Sequence, residues 1–260
     1  MKIRERGKYD YNFDIFVEKF EKSIYGTFKG EWRLKLLKED LKKLYGSEKK
    51  LDILDAGCGF GQISLWFAKR GHNITCCDIS YKMLERAKEN FKREKLENIP
   101  FFKKPAQELV LELPKQDLII FHAVIEWLAE PMESLEKILN GVKGGGYISI
   151  LFFNYNSLVY KNILQGSWRF DTILEKKWYG RGKRLTPPYP QKPHQIREFL
   201  TEHGFKIEKQ TAIRVFYDYI SKEVLENSDM EKLIRLEYLH AREEPFRDMG
   251  RYIHILAKKV

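Results

Sequence analysis

Cysteine is scarce, with three in 260 residues: Cys58, Cys76 and Cys77. Cys76 and Cys77 are neighbours, and neighbours on an extended segment point to opposite faces, so no disulfide framework forms and a reducing, cytoplasmic setting is expected. Neither Cys-x-x-Cys nor His-Glu-x-x-His occurs, and the six histidines are scattered singly, so no metal is expected. Long uncharged apolar runs are missing, as is a basic stretch followed by an apolar one, and neither a membrane span nor a secretory leader is expected. Internal repeats and low-complexity linkers are missing too. The expectation is one domain over residues 1–260, with an N-terminal helical extension over about 10–46 and a basic insertion over about 155–193. Acidic residues are in the minority, 37 against 47 lysines and arginines, and the balance of +10 favours a polyanionic partner without identifying one.

What is present is an alternation of periods. Leu34, Leu37, Leu41 and Leu44 recur at three- and four-residue steps and predict a helix over Glu31–Tyr45. The apolar run Leu51–Ala56 predicts a buried parallel strand, ended by the cluster Gly57-Cys58-Gly59-Phe60-Gly61. A helix through Ile63 and Trp66 follows, then a strand over Asn73–Asp78 and a helix capped by Ser80 that buries Leu84, Ala87 and Phe91. Further strands are predicted at Ile99–Phe102, Asp117–Phe121 and Tyr147–Phe153, the last entered through a turn at Gly144-Gly145-Gly146, with a helix over Met132–Leu139 behind Pro131. After an irregular stretch come a helix over Gln195–His203, a strand over Phe205–Phe216 with one interruption, a helix over Met230–Ala241 and a last strand over Arg251–Lys258. Such alternation makes a doubly wound α/β sheet with inserted helical segments.

The chemistry is expected where the first strand ends. The glycine cluster makes a tight, side-chain-poor turn in which a ligand can lie against backbone amides at the mouth of a helix. Asp78, 17 residues after Gly61 at the end of the next strand, can accept both hydroxyls of a ribose. Spacing then separates two nucleoside cofactors. Gly57, Gly59 and Gly61 follow Gly-x-Gly-x-Gly, whereas the dinucleotide fingerprint is Gly-x-Gly-x-x-Gly, and position 62 is Gln. Asp55, just before the glycines, suits the ammonium and sulfonium of S-adenosylmethionine better than a diphosphate.

With those residues in place, the chain resembles the class I S-adenosylmethionine-dependent methyltransferases, in Asp78-Ile79-Ser80-Tyr81-Lys82-Met83-Leu84, Pro105-Ala106-Gln107 and Gly144-Gly145-Gly146. Their Rossmann-like sheet has an antiparallel last strand. Within that class it resembles the bacterial tRNA 5-carboxymethoxyuridine methyltransferase family. Asn12-Phe13-Asp14, Ile24-Tyr25-Gly26-Thr27 with Arg33, Phe121-His122-Ala123-Val124-Ile125-Glu126-Trp127, Arg214-Val215-Phe216-Tyr217 and Gly250-Arg251-Tyr252-Ile253-His254 carry this narrower match, which runs almost end to end. The resemblance implies methylation of the carboxylate of 5-carboxymethoxyuridine at the tRNA wobble position, giving the methyl ester. It also implies that Arg33 clamps the cofactor carboxylate, that Gly57 and Cys58 make main-chain contacts, that Asp78 holds the ribose, that Ala106 and Gln107 lie on the adenine side, and that His122 is a further cofactor contact. Cys58 and Phe60 depart from the small or acidic residues of the family's turn, so the turn must tolerate the Cys58 Cβ. Taken alone, Arg33 reads as a solvated helix residue, His122 reads equally as a core histidine, and Glu126 and Trp127 read as the start of a buried helix.

A carboxylate acceptor is already ionised at neutral pH, so no general base and no catalytic side chain are expected; the demands are alignment, exclusion of water and a cation. Arginine suits that last task because its fork engages a carboxylate at two points. Arg214 is the candidate, with Tyr217 and Tyr252 as hydroxyl donors or stacking surfaces. Lys176–Arg197 holds seven Lys or Arg and no Asp or Glu, interleaved with Trp178, Tyr179 and Tyr189. Lys183 and Arg184 there are candidate contacts to the phosphates of a tRNA anticodon loop, the rings stacking on unpaired bases. Two other readings share parts of this pattern: a methyltransferase for a small or quinone-type molecule, and a non-catalytic tRNA-binding protein.

Overall fold

A computed structural model describes residues 9–23, 27–176 and 186–260. Helix α1 (Val17–Ser23) leads to α2 (Phe28–Tyr45), which starts three residues before the expected Glu31 because the Thr27 side chain accepts from the Gly30 amide at 3.3 Å and caps it there. Strand β1 (Asp52–Ala56), α3 (Gln62–Ala68), β2 (Asn73–Asp78), α4 (Tyr81–Arg93) and β3 (Phe101–Lys103) continue the alternation. Ser80 caps α4 as its sequence position implied, accepting from the Met83 amide at 3.2 Å. Next come α5 (Ala106–Glu112), β4 (Gln116–His122), α6 (Pro131–Asn140) and β5 (Val142–Phe153). Helix α5 has no counterpart in the periodic reading: it is a seven-residue segment whose apolar residues beyond Ala106 are the consecutive run Leu109-Val110-Leu111, which has no helical period. The three glycines before Tyr147 lie inside β5, where the pairing jumps from Gln116↔Val142 to Leu118↔Tyr147, so the expected turn is a bulge.

Beyond β5 lie α7 (Tyr155–Ile163), α8 (Phe170–Leu174), α9 (Pro193–Glu202), β6 (Phe205–Ile213), α10 (Lys222–Glu226), α11 (Met230–His240) and β7 (Tyr252–Lys259). Strand β6 ends before the expected Phe216 because Arg214 adopts φ +61° and turns the chain off the ladder. The interruption expected within β6 is the register shift between Ile207 and Lys209.

The seven strands stand in the order β3-β2-β1-β4-β5-β7-β6, with β7 antiparallel to both its neighbours. Side chains alternate between faces along each strand. Ile53, Leu118 and Ile120 pack with α2, α3 and α4, through residues such as Leu36, Phe67 and Phe91. Leu54, Ile119 and Phe121 pack with α5, α6 and α9, through Leu109, Leu135 and Ile196. Each such side chain contributes roughly 1.5 to 3 kcal/mol when fully buried. Among the described residues, no helix is long and apolar enough to cross a membrane, and no group of three His, Cys, Asp or Glu is placed to hold a metal. Strand order reverses between β1 and β4, and the crevice beyond their carboxyl ends is where ligands bind in such sheets.

Gly57 opens that crevice. Its φ is +80°, and a Cβ there would lie 2.4 Å from Val124 Cγ2. Gly57→Ala is expected to destabilise the protein by about 1 to 3 kcal/mol through backbone strain and overlap, read as a lower urea midpoint with unchanged slope.

Candidate active site

A cavity of about 690 Å³ occupies the crevice. Its floor is the β1–α3 turn, and the hydrogen bonding of that turn corrects the expectation that its amides face a ligand. The Gly57 and Cys58 amides both donate to the Cys77 carbonyl, at 3.0 and 2.8 Å, the Gly59 amide donates to Asp78 Oδ2 at 2.9 Å, and the Gly61 amide to the Cys58 carbonyl at 2.9 Å. None of these four is left for an anion. Cys58 is not among the residues with positive φ, so its Cβ is accommodated, and its thiol, like those of Cys76 and Cys77, is free and buried.

Two acids border the turn. Asp78 accepts the Gly59 amide on one oxygen and the Ser80 amide on the other, at 2.8 Å, which leaves a lone pair on each for a ligand. Burial pushes its pKa up to about 6 against the pull of those amides. Asp55 accepts from Ser64 Oγ at 2.5 Å, and burial, reinforced by the charge of Asp78, pushes it up to about 7. Both carboxyls would be relieved by a cation or by hydroxyl donors.

The N-terminal segment covers the cavity, a role that periodicity could not show. Gln107 Nε2 donates to Asp10 at 2.7 Å, Asn12 Nδ2 donates to the Ile79 carbonyl at 3.2 Å, and Ser80 Oγ donates to Asp14 at 2.6 Å. Phe13 packs edge-on against Trp127 with ring centroids 4.9 Å apart. Glu126 and Trp127 form a single 3-10 turn (Ile125–Trp127) rather than the start of a helix, and Trp127 lines the cavity.

Arg33, Gly57, Cys58, Asp78, Ala106, Gln107, His122 and Tyr252 all line this one cavity. Arg33 Nε and Gln107 Oε1 are buried without a hydrogen-bond partner among the described residues. Arg214 and Tyr217 are not on the wall. Arg214 Nε is bound to Asp218 Oδ2 at 2.6 Å, and Tyr217 is held through its amide by Glu237 and packs on Phe28. Lys183 and Arg184 lie outside the described residues. The residue that periodicity and motif reading passed over is Arg251, next to the chosen Tyr252: its guanidinium lines the cavity 4.4 Å from the centroid of the Phe153 ring and makes no ion pair among the described residues. Asp218 also faces Lys161, at 3.6 Å. Burial alone would raise the Asp218 pKa, but the charges of Arg214 and Arg251 outweigh it and hold the carboxyl well below the usual range. Three cations thus surround one anion at this end of the cavity.

Comparison with known proteins agrees with this geometry. Residues 54–150 match the methyltransferase-domain family. The fold matches magnesium protoporphyrin IX methyltransferase of Synechocystis PCC 6803 crystallised with bound SAH, at a TM-score of 0.62 and 16% identity, covering 95% of this chain and 96% of the other. The structure is therefore that of a class I methyltransferase. A ubiquinone biosynthesis O-methyltransferase of Acinetobacter baylyi is 26% identical over 62% of this chain and 66% of its own length. The tRNA 5-carboxymethoxyuridine methyltransferase of Escherichia coli (strain K12) is 38% identical over 96% of this chain and 97% of its own length. The chain belongs to the tRNA 5-carboxymethoxyuridine methyltransferase family.

Asp55 makes the ligand-free site sensitive to pH. A carboxyl raised in the folded state from 3.8 to about 7 is protonated there over a window where the unfolded chain is ionised, so its stabilising contribution is complete below about pH 4 and is lost as pH rises through about 7. Replacing Asp55→Asn is expected to remove about 3 kcal/mol of the stability difference between pH 5 and pH 8, the part of the window from about pH 5 to about pH 7 at roughly 1.4 kcal/mol per pH unit. Urea unfolding at the two pH values reads it; parallel profiles for the wild type and the variant would refute the assignment.

Proposed function

We propose that the protein transfers the methyl group of S-adenosylmethionine to the carboxylate of 5-carboxymethoxyuridine at the wobble position of tRNA, forming the methyl ester. The supporting observation is a single cavity with two guanidiniums, Arg33 and Arg251, neither of which makes an ion pair with a carboxylate among the described residues. The reaction needs two anion-holding groups, one for the donor's carboxylate and one for the acceptor's.

The residues present fit the donor. A turn with its amides already engaged repels no cation and offers no pyrophosphate cradle, and Asp55 stands beside it. Asp78 keeps one lone pair per oxygen for the ribose hydroxyls, Gln107 Oε1 is an unpartnered acceptor on the adenine side with Ala106, and Arg33 would take the donor carboxylate. A Cβ at Gly57 would overlap the Val124 side chain, which lines the cavity beside it. When bound, S-adenosylmethionine supplies an electrophilic methyl group on a sulfonium.

On the acceptor side, Arg251 takes the place first assigned to Arg214, whose own charge Asp218 already neutralises. The Arg251 guanidinium shares Asp218 with Arg214 and Lys161 and so recovers only part of its desolvation cost; an arriving carboxylate would supply the rest, binding at two points and fixing which oxygen lone pair faces the methyl carbon. Tyr252 beside it presents a hydroxyl that burial keeps protonated. The acceptor is ionised at neutral pH, so the chain supplies alignment and dryness and abstracts no proton.

For the RNA, exposed Trp168 with the Arg169 guanidinium 4.8 Å above its ring, and Lys161 at the cavity wall, supply basic and aromatic groups in the same stretch of sequence as the Lys183 and Arg184 candidates. Stacking platforms among cations are how unpaired bases are held, which supports the anticodon loop as the docked element, and a tRNA substrate in turn supports a cytoplasmic place of work.

Nucleoside mass spectrometry of tRNA carrying 5-carboxymethoxyuridine, incubated with the protein and S-adenosylmethionine, tests the reading directly: the methyl ester is expected, and tRNA unchanged in mass overturns it. Arg251→Ala is expected to lower kcat/KM for tRNA about a hundredfold while leaving calorimetric donor affinity unchanged. Arg33→Ala should do the reverse, weakening donor binding by about 1.5 to 3 kcal/mol, the range for a hydrogen bond to a charged group.

A further inference from the structure

The Gln107 amide at the cavity wall has one end held and the other open. Its Nε2 donates to Asp10 Oδ2 at 2.7 Å, and its Oε1 is buried with no partner among the described residues. Asp10 is itself fixed from a second side. Its Oδ1 accepts the Ala129 amide at 2.8 Å, and the next residue, Tyr11, donates its own amide to the Trp127 carbonyl at 3.1 Å. The segment before α1 is thus pinned along the loop that follows β4, and Asp10 and Gln107 both line the cavity.

We propose that Asp10 is a positioning residue that sets the direction of the Gln107 amide, so that Oε1 faces the nucleobase of the donor and selects a purine with an amino group at its 6-position. The inference rests on the S-adenosylmethionine reading above and adds to it the basis on which the base is chosen. An amide has nearly the same shape either way round, so its neighbours decide which end points where. Here the neighbour is a carboxylate, which has lone pairs and no hydrogen to give, so only the Nε2 end can face it. The Ala129 amide, a donor with no alternative, occupies one carboxylate oxygen and leaves the other to Gln107. The open end of Gln107 is therefore an acceptor.

The place of that acceptor in the fold says what it meets. Strands β1, β2 and β3 are successive neighbours; Asp55 lies on β1, Asp78 ends β2, and Gln107 is in the first turn of α5, just beyond the end of β3. A donor with its sulfonium beside Asp55 and its ribose on Asp78 carries its base towards the β3 side, where Gln107 stands. Adenine presents amino hydrogens at its 6-position, which answer a bare oxygen; a 6-oxo purine presents a carbonyl oxygen there and sets lone pair against lone pair. An acceptor left unpaired in the complex loses its hydration with nothing in exchange, so the wrong base is disfavoured.

Calorimetric binding of 5′-methylthioadenosine and of 5′-methylthioinosine, which has a carbonyl oxygen in place of the 6-amino group, tests the proposal. The wild type is expected to prefer the adenosine compound by about tenfold; equal affinities overturn the proposal without any variant. Asp10→Asn keeps an oxygen for the Ala129 amide and presents an NH2 group to Gln107, which must then turn its own oxygen away from the base and its nitrogen towards it. Affinity for the adenosine compound is expected to fall about tenfold while affinity for the inosine compound rises, a gain that general loosening of the cavity cannot give. Asp10→Ala releases Gln107 to turn either way and is expected to bring the two affinities within about threefold of each other. Either variant keeping the wild-type ratio, whatever the absolute loss, overturns the proposal. S-adenosylmethionine is titrated alongside: a wild type that takes up neither it nor the nucleosides sinks the donor reading and this inference with it, whereas uptake of S-adenosylmethionine without discrimination between the nucleosides overturns this inference alone.

Discussion

The Cys77 carbonyl accepts two amides at once, from Gly57 and Cys58, and this staple between β2 and the β1–α3 turn sets what the crevice can hold. With the Gly59 amide bound to Asp78 as well, the glycine turn loses the N–H cradle that makes comparable turns anion sites. What remains is a side-chain-poor floor bordered by two carboxyls whose pKa values burial has raised. Such a floor is complementary to a ligand that carries positive charge and hydroxyls. The same fold with free amides would select a diphosphate, so one bifurcated acceptor separates two cofactor classes on one topology.

At the other end of the cavity the imbalance has the opposite sign. Asp218 cannot neutralise Arg214, Lys161 and Arg251 together, and the shortest contact, 2.6 Å to Arg214, shows which cation it satisfies. Glu237 reinforces that choice by accepting the amides of Val215, Phe216 and Tyr217 and thereby holding the loop that follows the left-handed Arg214. Arg214 is thus a strut and Arg251 the free fork. Carboxyls with raised pKa values at one end and surplus cations at the other give the cavity a polarity that, on the proposed reading, would order a cationic donor and an anionic acceptor along it.

The parts of this that could be read in the sequence are those with local signals. Strands β1, β2 and β4 are short apolar runs, Ser80 caps α4, and Gly57 and Asp78 carry their meaning in residue type and spacing. Arg33 carries none: on α2 it is one polar residue among many, and only the likeness to a known family marked it out. What could not be read depends on distant pairings. Arg214 and Arg251 are both arginines in recognisable blocks, and which one is free is decided by Asp218, four residues from one of them and brought near the other only by the β6–β7 pairing. The covering role of Asp10 and Asp14 likewise needs bonds to Gln107 and Ser80, across separations that no periodicity reports.

Several features of the site weaken the ligand-free protein. Asp55 is a buried acid and Asp78 a half-buried one, Arg33 Nε lacks a partner among the described residues, and Ala123, at the end of β4, is held at φ +57°. The two core layers on either side of the sheet tolerate these costs because they lie at one edge of a large buried area and do not interrupt it. Ligands that satisfy such groups bind the folded chain and not the unfolded one, so each relieved group adds both affinity and stability. On the proposed reading, a donor that answers Arg33, Asp55 and Asp78 together stiffens the floor before the acceptor arrives, and the Arg251 fork would then meet the acceptor carboxylate across a cavity whose other half is already ordered.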